Sequence, residues 1–443
     1  MTPQQETPTV SALTLPRWSL ATRVGFRFAF SYFLLWLAPG AVGALGLQER
    51  VISTPFRALW VSLWHQVVPW VGANLLHLQG SFAEVANGSG DELYDYVLIF
   101  CIAILAVVVT VIWSVLDRKR TEYRQLYAWL RLFMRMTVGA AMIGYGLKKI
   151  FWSQFPEPPL ARLVDTFGQT SPMGLLWTFM GESRFYSLAG GVGETVGGVL
   201  LFVPRFTALG AIISFGMMCN VLLLNLAYDV PRKIYSIHLV LICLFLLLPD
   251  FQRLANVFIF NRRAEPVEET PLFQDRQFNF AALMLQFAFL IMVVFVTGKE
   301  AYLDAVKAAT HLPAPIRGIW SVEEFTIDGV PHPAMLTDTE RWNRVIFDNA
   351  DLLTIQPMDG SLQQYDLKLD PGLRSFSFTK PGSETVDGAF TLTQPQRDHI
   401  TLQGKFAGRS LSANLQRVDL SDPSQFLLIN RGFHWVNDSM HNR

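Results

Sequence analysis

One carboxylate, Glu194, lies inside a long apolar and glycine-rich segment that covers residues 185–203. A membrane-crossing helix needs roughly 20 residues, so this segment is long enough to span a bilayer. A carboxylate at that depth is costly unless it is paired, hydrated or protonated. Two roles therefore fit Glu194, and the sequence leaves both open: a structural partner of a nearby lysine or amide, and a proton-transferring group in a ligand site.

Other polar residues fall at comparable depths in the neighbouring segments. With a helix rise of about 1.5 Å per residue, Glu194 and Asn220 lie roughly 14 Å below the outer ends of their spans, and Asn225 and His238 about 6–8 Å below theirs. Polar groups inside membranes usually face the bundle interior. The predicted site has Glu194 as the proton donor or acceptor, and its predicted ligand-binding residues are Tyr145, Lys148, Asn220, Asn225, Asp229, Lys233 and His238.

Glycines surround Glu194 at helical spacing. Gly190, Gly193 and Gly197 recur every three or four residues, so they share much of the face that carries the carboxylate. Small residues there let a second helix approach closely. Alternatively, they leave room for a flat ligand beside Glu194.

The elements that must position these residues are predicted membrane spans. The chain is 51% hydrophobic and 16% charged, against about 25% charged residues in soluble domains. Hydropathy windows predict seven spans, near residues 24–46, 95–116, 131–151, 185–203, 207–229, 233–250 and 278–298. Residues 56–78 contain three tryptophans and several polar side chains, which favours an interfacial helix.

The loop charges predict an orientation, because cytoplasmic loops carry an excess of lysine and arginine. Basic residues cluster before the first span and after the second and sixth. Arg27, near the start of the first span, is expected to extend towards the interface. The prediction is a multi-pass protein of a plasma or bacterial inner membrane, with a cytoplasmic N-terminus and a periplasmic or extracellular C-terminal domain.

The composition changes after Gly298 to short alternating runs separated by turn signals such as Asp328-Gly329 and Asp359-Gly360. About eight or nine short strands, the last at 426–429, predict an up-and-down meander or barrel. Trp320 in a Gly-x-Trp motif, with Arg431 after the last strand, resembles the closure of calycins and lipocalins. The predicted regions are a tail at 1–23, two leading spans at 24–130, a four-span bundle at 131–250, a loop and last span at 251–298, a linker at 299–315 and the β domain at 316–443.

Several classes of chemistry find no support in the sequence. The formal net charge is +0, so nothing indicates a nucleic-acid partner. The three cysteines are widely spaced within apolar spans, which predicts neither disulfides nor a metal site. Nucleotide-binding glycine loops and hydrolase or zinc-protease motifs are absent. Asp91 is predicted to cap the helix that follows it.

The block 131–250 resembles the DoxX-like family of four-helix membrane proteins. The resemblance rests on residues spread over four spans: Arg135, Gly139, Gly144, Lys148-Lys149, the glycine-rich helix with Glu194, Pro204-Arg-Phe-Thr207, Asn225, Asp229 and Lys233. It implies a four-helix core, which here carries extra spans and a β domain. It also implies a quinone as ligand and a role as a membrane component of a redox system.

Two functions therefore follow from the sequence. In the first, an outward-facing pocket binds a quinone or a similar lipid. Glu194 exchanges a proton, Asn220, Asn225 and His238 bind the head group, and Lys148 compensates charge, so the protein is at most a quinone-linked oxidoreductase subunit. In the second, the protein is a non-enzymatic assembly or envelope-maintenance protein whose β domain binds a partner protein or lipid outside the bilayer.

Overall fold

A computed structural model describes residues 17–37, 55–79, 82, 90–265, 270–309, 316–349, 351–370 and 372–432. The chain divides into two compact units. The first comprises Met1–Gly144, Gly193–Leu226 and Val230–Val296, and the second comprises Tyr145–Val192, Ala227–Asp229 and Thr297–Arg443. The first unit is helical, and the second contains the β domain together with the residues between two of the long helices.

The helices of the described chain agree with most of the predicted spans. They are α1 Leu20–Leu37, α2 Pro55–Trp70, α3 Leu93–Leu116, α4 Arg124–Ile150, α5 Pro172–Glu182, α6 Arg184–Phe202, α7 Thr207–Ala227, α8 Lys233–Leu247, α9 Phe251–Phe258 and α10 Arg276–Ala308. A π-helical turn, Val71–Leu75, extends α2.

By length and composition, six segments of the described residues qualify as membrane spans: Leu93–Leu116, Arg124–Ile150, Arg184–Phe202, Pro204–Ala227, Lys233–Phe258 and Arg276–Ala308. These six mark a membrane-spanning protein. The first predicted span corresponds to α1, and its predicted end at residues 38–46 lies outside the described residues. The interfacial position of α2 stays a prediction.

A buried arginine organises one end of α1 in the helical unit. Arg27 is 2% exposed. Its guanidinium donates to Tyr123 Oη at 2.7 and 3.0 Å, to Ser114 Oγ at 2.9 Å and to the Asp117 carbonyl at 2.9 Å. Tyr123 Oη in turn donates to Asp117 Oδ2 at 2.8 Å. The expectation that Arg27 extends to the interface is therefore wrong, because hydroxyl and carbonyl acceptors meet it inside the bundle.

The β domain is a closed antiparallel barrel. Its strands are β1 Gly318–Ile327, β2 Val330–Pro331, β3 Trp342–Phe347, β4 Leu352–Pro357, β5 Gln363–Leu369, β6 Ser375–Thr379, β7 Val386–Gln396, β8 His399–Phe406 and β9 Arg409–Arg417. Neighbours along the chain pair with each other, and β1 pairs with both β3 and β9, so eight strands close the sheet. The short β2 extends β1 as a hairpin. The predicted up-and-down order is confirmed.

Local sequence explains the two-residue turn after β1, and tertiary structure explains one misassigned element. Asp328 and Gly329 both have positive φ, 50° and 80°, which is the backbone of a type I′ hairpin turn. The predicted strand at 426–429 is wrong, because Leu427–Asn430 forms a short helix, α11. The barrel is already closed by β9, so no open sheet edge remains for these residues to pair with.

The loop after α4 packs on the outside of the barrel within the second unit. Leu160 and Ala161 form an apolar cluster with Ile319 and Ile346 of the barrel wall and with Phe426. The Asp348 carboxylate fixes the same place, accepting hydrogen bonds from the Leu160 amide at 2.8 Å and Arg317 Nε at 3.0 Å. The start of β1 and the end of β3 are therefore buried on both faces.

Candidate functional site

The eight predicted site residues differ in burial and lie in both units of the structure. In the helical unit, Glu194 is 1% exposed, and Asn225 and His238 are also buried. Asn220 lies on the exposed side of α7, and Lys233 is half-buried at the start of α8. The other three predicted residues belong to the second unit, where Tyr145 and Lys148 are half-buried and Asp229 is exposed.

The glycine face beside Glu194 is closely packed. A methyl group added at Gly198 would lie 2.8 Å from the Gly139 carbonyl oxygen and 2.9 Å from Ile143 Cγ1. One added at Gly197 would lie 2.8 Å from Ser214 Oγ. At Gly193 the added methyl group would lie 3.0 Å from Met217 Sδ, whereas at Gly190 the nearest atom, Lys149 Cδ, is 3.9 Å away. The distances therefore favour close packing at Gly193 and Gly197 and leave Gly190 uncrowded. Glu194 itself has an interaction partner, which fits the structural role that the sequence left open.

His238 is enclosed by two aromatic side chains of α1. The Trp36 ring stacks on the imidazole at a centroid distance of 4.1 Å, and Tyr32 Oη lies 2.7 Å from Nε2. Nδ1 lies 2.7 Å from the Ile234 carbonyl oxygen. A carbonyl only accepts, so Nδ1 carries a proton and Nε2 faces the tyrosine hydroxyl. Both ring nitrogens are occupied, which counts against the predicted role of His238 in binding a head group.

The start of α8 is fixed by an aspartate from a distant loop. Asp91 Oδ2 accepts from the Lys233 amide at 2.6 Å and Asp91 Oδ1 from the Ile234 amide at 2.9 Å. Asn225 Nδ2 donates to Ser236 Oγ at 3.2 Å in the same region. The prediction that Asp91 caps its own following helix is wrong, because its carboxylate is used by α8. At α3 the Glu92 amide instead donates to Asp95 Oδ2 at 3.0 Å.

Of the two neighbouring lysines at the end of α4, Lys149 is buried and the predicted Lys148 is half-buried. Lys149 Nζ lies 5.8 Å from the centre of the Tyr145 ring and 6.0 Å from that of Phe155, within reach of a cation–π interaction. Tyr145 thus supports a lysine. The sequence marked the Lys148-Lys149 pair but gave no means of choosing which of the two faces inwards.

The barrel is filled by side chains at one end. Trp320 is fully buried and donates from Nε1 to the Ile316 carbonyl at 2.8 Å. The Arg417 guanidinium lies 5.5 Å from the centre of the Trp320 ring, and it donates to the Arg317 carbonyl. Arg417 of β9 thus covers the Trp320 ring, and a closure of the calycin type by Arg431 stays a prediction. Residues 433–443, including the aromatic end around His434, lie outside the described residues.

The opposite end of the barrel contains a pocket of about 230 Å³. It lies where β1, β4 and β8 end and where β3, β5 and β9 begin. Its apolar wall is formed by Ile327, Trp342, Pro357, Phe406 and Leu411, and its polar rim by Thr339, Glu340, Gln363 and Arg409. An eight-stranded barrel is just wide enough to be filled by side chains or to hold one small ligand. Side chains fill this barrel at the Trp320 end, and the opposite end has space for a small ligand.

An ion pair crosses the pocket rim. Arg409 Nη1 and Nη2 lie 3.2 and 2.8 Å from the two carboxylate oxygens of Glu340, and the side chains are 47% and 50% exposed. The hydrogen bond from Arg409 lowers the pKa of Glu340 and raises the pKa of Arg409 itself. Both rim residues are therefore charged at neutral pH.

Hydrogen bonds of Asp338 and Arg341 fix the loop that carries Glu340. Arg341 is 2% exposed and donates to the carbonyls of His332, Trp342, Val322 and Glu323 at 2.9–3.2 Å. Asp338 accepts from the amides of Glu340 and Arg341 and lies 2.9 Å from His332 Nδ1. The hydrogen bond from His332 lowers the pKa of Asp338. These bonds preorganise the rim before any ligand arrives.

The pocket lining combines apolar and polar side chains. It pairs an apolar wall with one ion pair and two neutral polar side chains, a combination typical of ligand sites that orient a small molecule. Among the residues that the structure describes, no three His, Cys, Asp or Glu side chains are grouped so as to hold a metal ion. The sequence did not single out these residues, although the polar run Thr337–Arg341 before Trp342 was a signal of a functional loop.

Comparisons with known proteins find one curated relative. The uncharacterized protein YwoB of Bacillus subtilis (strain 168) is 34% identical over 151 residues, which are 34% of this chain and 90% of that protein. The chain belongs to the YwoB family. No protein-family model matches it, and no solved structure does.

The YwoB match covers a third of this chain and almost all of the relative. The relative is thus less than half as long as this chain, so most of the chain lies beyond the shared part. The chain therefore combines a YwoB-like part with additional residues. Because the relative is uncharacterized, the similarity assigns no activity to this chain.

Proposed function

We propose that this protein is a membrane-anchored binding protein whose β-barrel takes up the apolar part of a small amphiphilic molecule. The single observation that supports it most is the pocket at the open end of the barrel, with Trp342 and Phe406 in its wall and charged residues at its rim. The apolar helices supply the anchor. Like the second function that the sequence indicated, it is non-enzymatic and uses the β domain for binding, but its ligand is a small amphiphile where that function had a partner protein or a lipid.

The pocket size limits the ligand. Sites for drug-sized molecules are about 300–1,000 Å³, and this pocket is about 230 Å³. A whole quinone or phospholipid is too large for it. An aromatic ring or a short alkyl chain matches the apolar wall, and a polar group attached to it would reach the rim.

We place the barrel outside the cell membrane, on the side opposite the basic loops. Arg23 donates to the Arg120 carbonyl at 3.0 Å, so the basic start of α1 and the basic loop after α3 lie together. At the other end, Asp91 binds the start of α8. The expected result of cysteine labelling is that a Ser383→Cys variant reacts with a membrane-impermeant reagent in intact cells, whereas an Arg262→Cys variant reacts only after lysis.

The quinone-linked redox function stays a second proposal. The buried Glu194 favours it, because a carboxylate inside an apolar span is a functional residue by default. The close glycine packing and the occupied nitrogens of His238 count against a head-group site there. A Glu194→Gln variant that folds and keeps all quinone binding and cellular function would exclude it.

The binding function is tested by filling the pocket mouth. Thr339 is exposed on the rim, so Thr339→Trp adds bulk over the opening without entering the core. Thr385→Trp is the matched control, because Thr385 is exposed on a turn that does not line the pocket. The probe is 2-(4-fluorophenyl)ethanol, followed by fluorine NMR line broadening on the full chain in nanodiscs of zwitterionic lipid.

We expect the unmodified protein and Thr385→Trp to broaden the probe signal beyond empty nanodiscs, and Thr339→Trp to lose most of that effect. The proposal fails if Thr339→Trp binds the probe like the control. Native mass spectrometry of gently extracted protein then addresses the natural ligand, which should be a small amphiphile that is absent from Thr339→Trp.

A further inference from the structure

The rim of the barrel pocket contains one pair of charges that is free to exchange partners. Asp338 is occupied by His332 and two backbone amides, and Asp328 accepts from the Ser410 amide at 2.9 Å. The Arg341 guanidinium is buried and donates to backbone carbonyls. Glu340 and Arg409 instead bind each other through side chains that are about half exposed. A ligand can therefore compete for either of them.

Exchange of this ion pair is energetically easy. Exposed ion pairs add little net stability, since water solvates the separated charges almost as well. Glu340 can turn to water at its present exposure, and Arg409 is on the strand end at the pocket edge. The structure thus holds a guanidinium at the pocket mouth whose current partner is replaceable.

The geometry of the pair distinguishes an acidic ligand from a basic one. Arg409 engages both carboxylate oxygens of Glu340 through two parallel N–H groups. A ligand carboxylate in place of Glu340 keeps this two-pronged arrangement. A ligand ammonium in place of Arg409 does not, because a point charge offers no planar fork to Glu340. The aromatic wall accepts the apolar part of either ligand.

We infer that the barrel pocket selects small carboxylic acids that carry an aromatic ring or a short alkyl chain. Arg409 holds the ligand carboxylate in the place of Glu340, and the apolar part packs between Trp342, Phe406 and Leu411. This inference rests on the proposed binding function and names its ligand class. Glu340 then acts as an internal competitor that occupies Arg409 when the pocket is empty.

Three probes with the same ring test the inference on the full chain in zwitterionic nanodiscs. They are 4-fluorophenylacetate, 2-(4-fluorophenyl)ethanol and 2-(4-fluorophenyl)ethylammonium, which differ in charge. Fluorine NMR titrations, corrected with empty nanodiscs, give the affinities. We expect the acid to bind about three- to fivefold more tightly than the alcohol, the range of an exposed ion pair.

Two rim variants test the role of each charge. Arg409→Gln should remove the preference for the acid, and Glu340→Gln should strengthen acid binding by removing the competitor. Arg374→Gln is the matched control, because Arg374 is exposed and does not line the pocket. All three positions are exposed, so the barrel should fold in each case.

The outcomes separate the two proposals. If the ammonium or the alcohol binds as tightly as the acid while Thr339→Trp still blocks binding, the ligand class is wrong and the binding function stands. If Glu340→Gln fails to strengthen acid binding, Glu340 is not a competitor and the exchange is refuted. If no probe binds, the binding function itself falls.

Discussion

The helical unit and the barrel unit each contain a fully buried arginine, and the two arginines have different partners. Arg27 in the helical unit donates mainly to the hydroxyls of Tyr123 and Ser114. Arg341 in the barrel donates to four backbone carbonyls. A hydroxyl can rotate and form a hydrogen bond with a new partner. A carbonyl oxygen only accepts, so it stays unsatisfied when its donor is removed. The barrel arginine should therefore be the harder one to replace.

The two units also differ in how they use the space between their elements. In the helical unit, small residues allow backbones to approach until no methyl group fits beside Gly198. In the barrel, the core is packed around Trp320, but the opposite end contains a pocket whose rim loop is fixed by hydrogen bonds. The comparison contrasts close helix packing beside Glu194 with a pocket at one end of the barrel.

The largest effect is expected from replacing the two arginines by methionine. Arg341→Met removes the donor from four backbone carbonyls, of which those of Val322 and Trp342 belong to buried residues, and should destabilise the barrel by about 3 kcal/mol. Arg27→Met should cost about 1 kcal/mol, because Tyr123 Oη still donates to Asp117 and one carbonyl alone loses its donor. Hydrogen exchange with mass spectrometry measures both losses of stability on the full chain. Peptides of β1 and β3 report on Arg341→Met, and peptides of α1 and α3 report on Arg27→Met. Equal losses in the two units would contradict the distinction between hydroxyl and carbonyl partners.

A smaller effect is expected from adding a methyl group to the glycine face. Gly198→Ala should destabilise the helical unit by about 1–3 kcal/mol, the usual cost of overpacking. Gly216→Ala is the matched control on a helix, since nothing lies within 4 Å of its added methyl group. That control should be neutral or stabilising by up to about 1 kcal/mol, because alanine is the better helix former. Thermal unfolding in detergent measures both. A tolerated Gly198→Ala would restore the idea of a ligand slot beside Glu194.

The smallest effect is expected from acid titration of the pocket rim. The pKa of Asp338 is lower in the folded barrel than its ordinary value of 3.8, because His332 and two amides bind the carboxylate. At pH values between the folded pKa and 3.8, the unfolded chain binds more protons than the folded one. The stabilisation is therefore complete above pH 3.8 and is lost as the pH falls through the folded pKa. Asp338→Asn should flatten this loss, and the exposed control Asp366→Asn should not, in urea unfolding followed between pH 5 and about pH 2. Identical pH profiles for both variants would show that the rim contributes nothing to acid stability.

The predictions that came from periodicity agree with the structure where a pattern covers a whole element. The apolar runs became long helices, and eight of the short alternating runs became barrel strands. The failures concern single side chains. Asp91 caps α8 across 142 positions of sequence, where the sequence had indicated a cap on α3. Several candidates near each terminus or turn satisfy the same local rule, so local sequence does not choose among them.

The pocket could not be predicted for a related reason. Its lining comes from the ends and beginnings of six strands and from one loop, and each residue taken alone is an ordinary strand-end residue. The sequence pointed to Glu194 because a charge in an apolar run is conspicuous in one dimension. The structure shows that the conspicuous residue is enclosed, while the open space lies among residues that no one-dimensional pattern marks.

The sequence by itself determined the division into apolar spans and a meander of strands, because hydrophobic periodicity is a property of consecutive residues. Only the tertiary structure decided which buried polar groups are already satisfied and where space remains for a ligand. Hydrogen-bond satisfaction and cavity volume depend on residues that lie far apart in the sequence, such as Tyr32 and His238 at 206 positions or Glu340 and Arg409 at 69. Those partners are brought together by strand register and helix packing alone.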